Sequence, residues 1–297
     1  MSKNHLRGDL ARYSKGKFPQ LGNGYYYDFR NNIFGGQMDP QIEKWFLEGD
    51  GNELASKACA PHSSSMLGYN FFHWINKDHP ITICFSDGEE NTYDEVLFEV
   101  KIPVITRSNA NMDIVLRNGD GDWLFIESKF LEYLTTSSFK ISKAYTSPDP
   151  NTYFFGGDKW SEFIKGYDVS KKNQYWGGIK QEFCHLIGLT NWMNWKSQIK
   201  VKGTKCSYIK GHETRFINLV FEPQSREYNE EHEFFVEYKK LHDAMRKRLR
   251  ESEIIHPNLK VGFMTYSQLW NCIKENQIQE DLKRFLNEHY MQFAEGC

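Results

Sequence analysis

The sequence predicts an α/β fold, a mixed central sheet flanked by helices, in the order helix, three strands, helix, strand. Three observations carry this expectation. From Tyr93 the apolar residues of "YDEVLFEVKIPV" recur with period two, which marks a strand. Two further apolar runs, around Asp113 and from Trp123 to Phe130, are joined by the turn "NGDGD", so a tight hairpin follows the first strand. Beyond them "NQYWGGIKQEFCHLIGL" places Trp176, Ile179, Phe183 and Ile187 on one helical stripe, and "RFINLVFEP" reads as a short buried strand. At 297 residues the chain can bury a sizeable core, and it is read as a single domain spanning 1–297.

The remaining elements follow in order. Residues 1–38 are basic, then rich in Gly, Asn and Tyr without a sustained period, and read as an irregular surface arm. "DPQIEKWFLEGDG" is a short helix with Asp39 as N-cap, Pro40 in the first turn and Gly49 as the stop. A second helix starts near Ser63, because Pro61 ends the previous segment and serine caps well. In the first strand, Val96, Phe98, Val100, Ile102 and Val104 are expected on one face and Leu97, Glu99, Lys101 and Pro103 on the other. A polar stretch, "KAYTSPDPNTYFFGGDKW", precedes the central helix. "YNEEHEFFVEYKKLHDAMRKRLRESE" is a long helix, acidic early and basic late as the helix dipole prefers, and "KVGFMTYSQLWNCIKEN" adds a strand and a helix.

Composition excludes several classes. Hydrophobic content of 39% and charged content of 26% are those of a globular protein, and aromatics at 15% imply packing around large rings. The formal net charge of −2 announces no globally basic nucleic-acid binder. Six cysteines without a C-x-x-C pair argue against a zinc site or a disulfide framework and suit a reducing cytosol, so a cytoplasmic location is expected. The polar N-terminus and the lack of any apolar run near about 18 residues predict neither a membrane span nor a secretory peptide.

The informative anomaly is charge inside the hairpin. In "DWLFIESKF", Trp123, Phe125, Glu127 and Lys129 share one face, and Leu124, Ile126, Ser128 and Phe130 the other. Asp113 lies on the adjacent strand, so two carboxylates and an ammonium can converge at one edge. Burying them unpaired is costly. A divalent cation would justify them, since two carboxylates on rigid strands bind Mg²⁺ and leave positions for water and phosphate. A lysine beside them can orient or help deprotonate the attacking water. The plainer reading is a salt bridge from Lys129 to Asp113 or Glu127 on an exposed face.

Asp113 followed at a distance by Glu127-Ser128-Lys129 resembles the signature of the PD-(D/E)XK nuclease superfamily. "APHSSSMLGYNFF", "LFEVKIPV", "NMDIVL", "FIESKFLEYLT", "SKAY" and "KQEFCHLIGL", in this order, resemble a bacterial, type II-like restriction endonuclease family within it. The match covers roughly residues 53–223 and leaves an N-terminal arm and helix over 1–50 and a mainly helical extension over 224–297. A weaker echo lies in "FMTYSQLW". Met112 stands where the superfamily's name has proline, a common replacement.

The resemblance implies a restriction-endonuclease-like core and Mg²⁺-dependent hydrolysis of DNA phosphodiester bonds, with Mn²⁺ as a possible substitute. Asp113 and Glu127 hold the metal, the Ser128 carbonyl is a further ligand, and Lys129 positions the water. Glu99 is the first choice for an additional acid and Glu53 the second. Gln181, from the central helix, orders the site. His185, one turn on, reads better as a satisfied structural histidine, and "HSSS" with Asn70 either contacts phosphate or braces the site. "KSQIKVKGTKCSYIKGHETR" and "KKLHDAMRKRLR", each with six Lys or Arg against one acid, are candidate phosphate tracks. The expected substrate is double-stranded DNA, and cutting both strands suggests a homodimer. The alternatives are a non-catalytic DNA-binding module that kept the fold, or a nuclease for repair or branched nucleic acids.

Overall fold

The computed structural model describes residues 5–18, 20–48, 54, 56–134, 142–146, 154–166, 176–273 and 278–296, the side chains of 176–178 excepted. The stop at Gly49, the candidate Glu53 and the ring of Trp176 therefore lie outside the described residues.

The first element is a helix, α1 (His5–Lys15), where an irregular arm was expected. Its apolar face is only Leu6 and Leu10, both buried, with Gly8 between them. So short a stripe is marginal alone, and tertiary contacts hold it. The Leu6 N–H donates to Glu231 Oε1 at 3.2 Å, Tyr228 donates to Asp9 Oδ2 at 3.2 Å, and Lys17 pairs with Glu288 at 2.7 Å. All three partners come from the last quarter of the chain. Next, α2 (Pro40–Glu48) is capped as expected, Asp39 Oδ1 accepting from the Gln41 N–H at 2.8 Å. In α3 (Ser64–Phe72) the Ser63 hydroxyl accepts from the Met66 N–H at 3.3 Å.

A small antiparallel hairpin, β1 (Ile81–Cys84) and β2 (Glu90–Tyr93), then precedes the main strands β3 (Glu95–Ile105), β4 (Ser108–Arg117) and β5 (Trp123–Lys129). The chain continues through α4 (Lys143–Thr146), α5 (Gly157–Gly166), α6 (Trp176–Met193), the hairpin β6 (Ile199–Val201) and β7 (Thr204–Cys206), β8 (Thr214–Val220), α7 (Asn229–Ser252), β9 (Leu259–Thr265), α8 (Tyr266–Ile273) and α9 (Glu280–His289). Among the described residues five strands form the central sheet, in the order β3-β4-β5-β8-β9. The first two pairings are antiparallel and the last two parallel, so the sheet is mixed. β5 lies at its centre with all seven residues buried.

Each face of the sheet has its own apolar layer. Phe98, Ile114, Leu116, Leu124 and Ile126 pack with α3, α8 and α9. Val100, Ile102, Met112, Val115, Trp123 and Phe125 pack with α5 and α6. These lists correct the expected alternation of β3. Val96 and Phe98 lie on the α3 side, but Val100, Ile102 and Val104 lie on the α6 side. The strand changes phase at Glu99, whose φ of +52° is left-handed and rotates the residues on either side of it. β4 changes phase at the facing position, since Phe98 pairs Ile114 and Val100 pairs Met112. Asp113 sits at that slip. The α6 side is closely fitted: a Cβ on Gly188 would stand 2.6 Å from Ile102 Cγ2.

Candidate active site

β4 and β5 are paired up to Ile114 and Ile126. Beyond that rung the Asp113 carboxylate takes over the strand's role, Oδ2 accepting from the Ser128 N–H at 2.8 Å. The alternation of β5 then sends its last residues to opposite sides, as expected. Glu127 and Lys129 face α6 and α7, and Ser128 faces α3. The Ser128 hydroxyl donates to the Ser64 carbonyl at 3.0 Å and accepts from Tyr266 at 2.7 Å. So "HSSS" braces the hairpin from behind through Ser64. Asn70 is a structural hub away from it: it accepts from the Phe34 N–H at 2.9 Å and donates to the Asn32 carbonyl at 2.9 Å and to Tyr290 at 2.8 Å.

Lys129 pairs with Glu127 Oε1, so the expected ion pair exists, but on a buried face: the two side chains are 7% and 1% exposed. The second oxygen, Glu127 Oε2, lies 3.5 Å from His185 Nδ1 and has no hydrogen-bond partner. His185 Nε2 lies 2.9 Å from the Asn111 carbonyl. A carbonyl only accepts, so Nε2 carries the ring proton and Nδ1 presents a lone pair. Two acceptors therefore face each other in the interior. Asn111 Oδ1 is a third buried acceptor without a partner. The expectation of a satisfied histidine fails at Nδ1.

Electrostatics follow from this crowding. Burial, then Glu127, pushes Asp113 up to about 8. Burial also raises Glu127, despite the neighbouring ammonium. For Lys129, burial acts to lower the pKa, but Glu127 and Asp113 more than offset it and hold the group above its ordinary value. Burial pushes His185 down to about 4, so the ring is neutral. Behind Glu127 lies a further polar cluster that sequence reasoning missed. Glu182 contacts His242 Nδ1 and accepts from Asn218 Nδ2 at 2.7 Å, and the ring of Tyr238 lies 4.2 Å from that of His242. Only the position of Glu182, one turn before His185 on α6, hinted at it.

In front of these groups opens a groove of about 710 Å³ lined by Glu99, Asn111, Asp113, Lys180, Gln181 and His185, among others. Of the expected site residues, Asp113, Glu127 and Lys129 come together, Ser128 lies between them, and Glu99 and Gln181 stand on the groove wall. Gln181 is exposed, and the bonded partner of Lys129 is Glu127. Glu99 also borders a second cleft of about 750 Å³, lined by Lys44, Lys101, Lys200 and Lys202. The two basic stretches divide. Lys200 and Lys202 of the first reach this cleft, whereas Arg215 is buried and held by Asp87, Glu89 and Glu213. On α7, Lys239, Lys240, Arg246 and Lys247 pair within the helix with Asp243, Glu237, Asp243 and Glu251, and apart from the buried Arg246 these are exposed, weak pairs.

Among the described residues no group of three or more His, Cys, Asp or Glu side chains is already gathered as a metal cage. The donors nevertheless suit a cation. The buried Glu127 and the half-buried Asp113 both have raised pKa values, and Glu127 Oε2, His185 Nδ1 and Asn111 Oδ1 remain acceptors that the single ammonium of Lys129 does not reach.

A mixed sheet whose central hairpin joins an acid to a Glu-x-Lys run under an open groove is compatible with the restriction-endonuclease-like core. The chain belongs to the family described as "Restriction Endonuclease associating with ARP", whose model matches residues 4–291. No curated protein and no solved structure matches the chain. The family implies a nuclease with DNA as substrate and a role in restriction or defence. No helix among the described residues is long and apolar enough to cross a membrane.

Proposed function

We propose that the protein is a Mg²⁺-dependent endonuclease that hydrolyses phosphodiester bonds of double-stranded DNA in restriction. The observation that carries this reading is the convergence of Asp113, Glu127 and Lys129, with Asp113 on the groove wall and acceptors left unpartnered beside them. Asp113 and Glu127 would hold the cation, with the Ser128 carbonyl as a further donor and Mn²⁺ as a substitute metal. When bound, the cation supplies Lewis-acid polarisation of a phosphoryl oxygen and a more acidic water.

The chain's own groups do the positioning. The Ser128 N–H fixes one oxygen of Asp113 and leaves the other for binding. Lys129, held above its ordinary pKa, is an ammonium. It therefore donates hydrogen bonds to water or a phosphate oxygen and does not act as a proton acceptor in this state. Glu99 and Gln181 meet the substrate from the groove wall, Glu99 as the additional acid. Water attacks phosphorus, and the products carry 5′-phosphate and 3′-hydroxyl ends. Cutting both strands implies two copies facing opposite strands, and the family's description supplies ARP as a partner.

The test is plasmid DNA incubated with wild type, Asp113→Ala and Lys129→Ala, with Mg²⁺ and with EDTA. Cleavage by wild type alone, stopped by EDTA, supports the reading. Binding without cleavage would hand the site to a non-catalytic DNA-binding module, and a preference for branched substrates or RNA would change the job and keep the enzyme.

A further inference from the structure

We infer that His185 Nδ1 is a nitrogen donor of the cation site, so that the site takes a divalent cation of borderline character, such as Mn²⁺ or Co²⁺, more tightly than Mg²⁺. The inference rests on the metal-nuclease reading above. Three facts support it. The Asn111 carbonyl at 2.9 Å fixes the proton on Nε2, which leaves Nδ1 as a lone pair. Glu127 Oε2 lies 3.5 Å away, and neither atom has a hydrogen-bond partner. The side chains are 2% and 1% exposed, so bulk water does not satisfy them.

Two lone pairs held face to face repel, and the Lys129 ammonium engages only the other oxygen, Glu127 Oε1. Their separation suits two donors on one ion. With metal–ligand distances of about 2.0–2.2 Å, neighbouring donors stand roughly 3.0–3.5 Å apart. The groove gives a cation its way in. His185, Asp113 and Asn111 line it, the orphaned Asn111 Oδ1 adding an oxygen, and Glu127 Oε2 is reached from it past the His185 ring, 3.5 Å from Nδ1. The Nε2 bond to Asn111 is the second contact that metal-binding imidazoles use to fix their orientation. An imidazole among carboxylates moves preference away from Mg²⁺, which favours oxygen and octahedral geometry, toward later first-row ions.

The experiment is pulsed electron paramagnetic resonance of Mn²⁺ added to the full chain without DNA, together with titration of Mn²⁺ and Mg²⁺ by calorimetry. The expected spectrum shows ¹⁴N modulation from one directly bound nitrogen, absent in His185→Gln. Protein labelled with ¹⁵N-histidine loses the ¹⁴N modulation with no substitution, so the assignment to imidazole survives if the variant does not fold. In a folded His185→Gln, Mn²⁺ affinity falls by at least roughly tenfold, as it does when even an indirect partner of a ligand is removed, and the preference for Mn²⁺ over Mg²⁺ shrinks. If Mn²⁺ binds wild type but not Asp113→Asn, and no nitrogen couples, the inference about His185 is wrong and the carboxylate site stands. If no Mn²⁺ binds at all, both readings fall together.

Discussion

Replacing Asp113 by asparagine tests the electrostatics of the site independently of catalysis. The amide keeps an oxygen for the Ser128 N–H, whose bond to Asp113 is 2.8 Å long, and removes the charge. Burial and Glu127 push Asp113 from an ordinary 3.8 up to about 8. Because the folded pKa is raised, the wild type's stability from this group is full below pH 3.8 and is lost as pH rises toward 8. His185 runs the other way: with a folded value near 4 against 6.5, its contribution is constant above pH 6.5 and lost in acid. The window from pH 6.5 to 8 therefore isolates the carboxylates. Each unit is worth about 1.36 kcal/mol, so 1.5 units cap the change at about 2 kcal/mol. At roughly 2 °C per kcal/mol for a chain of this size, the melting-temperature advantage of Asp113→Asn over metal-free wild type should grow by about 4 °C across the window. Groups that titrate in both proteins cancel. Differential scanning fluorimetry in EDTA reads the difference, and Mg²⁺ at saturation should raise wild type selectively. A difference that stays flat with pH would show that Asp113 is not held against its ionisation, and the case for a cation would lose its main physical support.

Other parts of the structure make separate predictions. Gly188→Ala gains about 1 kcal/mol of helix propensity but drives a methyl to 2.6 Å from Ile102 Cγ2 and 3.2 Å from the Pro103 carbonyl, so urea titration should show a net loss. Asn70→Ala removes three hydrogen bonds, two of them buried, between the N-terminal segment, α3 and Tyr290, for a loss of about 2–4 kcal/mol in chemical denaturation with DNA affinity unchanged in the folded fraction. Arg215→Met removes one of the two cations that hold Glu213, leaving Lys260. Burial tends to raise the Glu213 pKa, but hydrogen bonds from Arg215 and Lys260 bring it down to about 2. That depressed value stabilises the fold above pH 4.5 and is lost toward pH 2, so the cost of the variant, about 2–4 kcal/mol at pH 7, should shrink in acid. The salt dependence of DNA binding should not change, because Arg215 is internal.

What the chain showed in advance was what local chemistry encodes. The caps at Asp39 and Ser63, the turn between β4 and β5 and the stripe on α6 all sit in runs of neighbouring residues. The same holds for Glu127 and Lys129, whose shared face follows from the pleat alone. The hairpin of β1 and β2, absent from the expected elements, also has a local signal, since Asp87-Gly88 supplies its turn with Gly88 at φ +83°. The phase slip was not legible. A left-handed glutamate carries no glycine or asparagine signal, and nothing in "LFEVK" distinguishes Glu99 from an ordinary outward residue. His185 and Glu182 were opaque for a different reason. Their partners, Asn111, Asn218 and His242, come from distant strands and helices, so only the folded chain shows which nitrogen is bonded and which is bare.

The docking of α1 also has a consequence for how the molecule is made. Its partners at Tyr228 and Glu231 are synthesised 219 and 225 residues after the groups they hold, and Glu288 follows Lys17 by 271. At roughly 5–20 residues per second, a ribosome needs about 15–60 s to reach them. Through that interval α1 lacks these three partners, and β5 lacks the neighbours on its parallel side until β8 and β9 emerge. The hairpin that carries Asp113, Glu127 and Lys129 can pair early, but α6, β8 and α7, which desolvate it, all follow it in the chain. The site is thus completed only after α7 has been made.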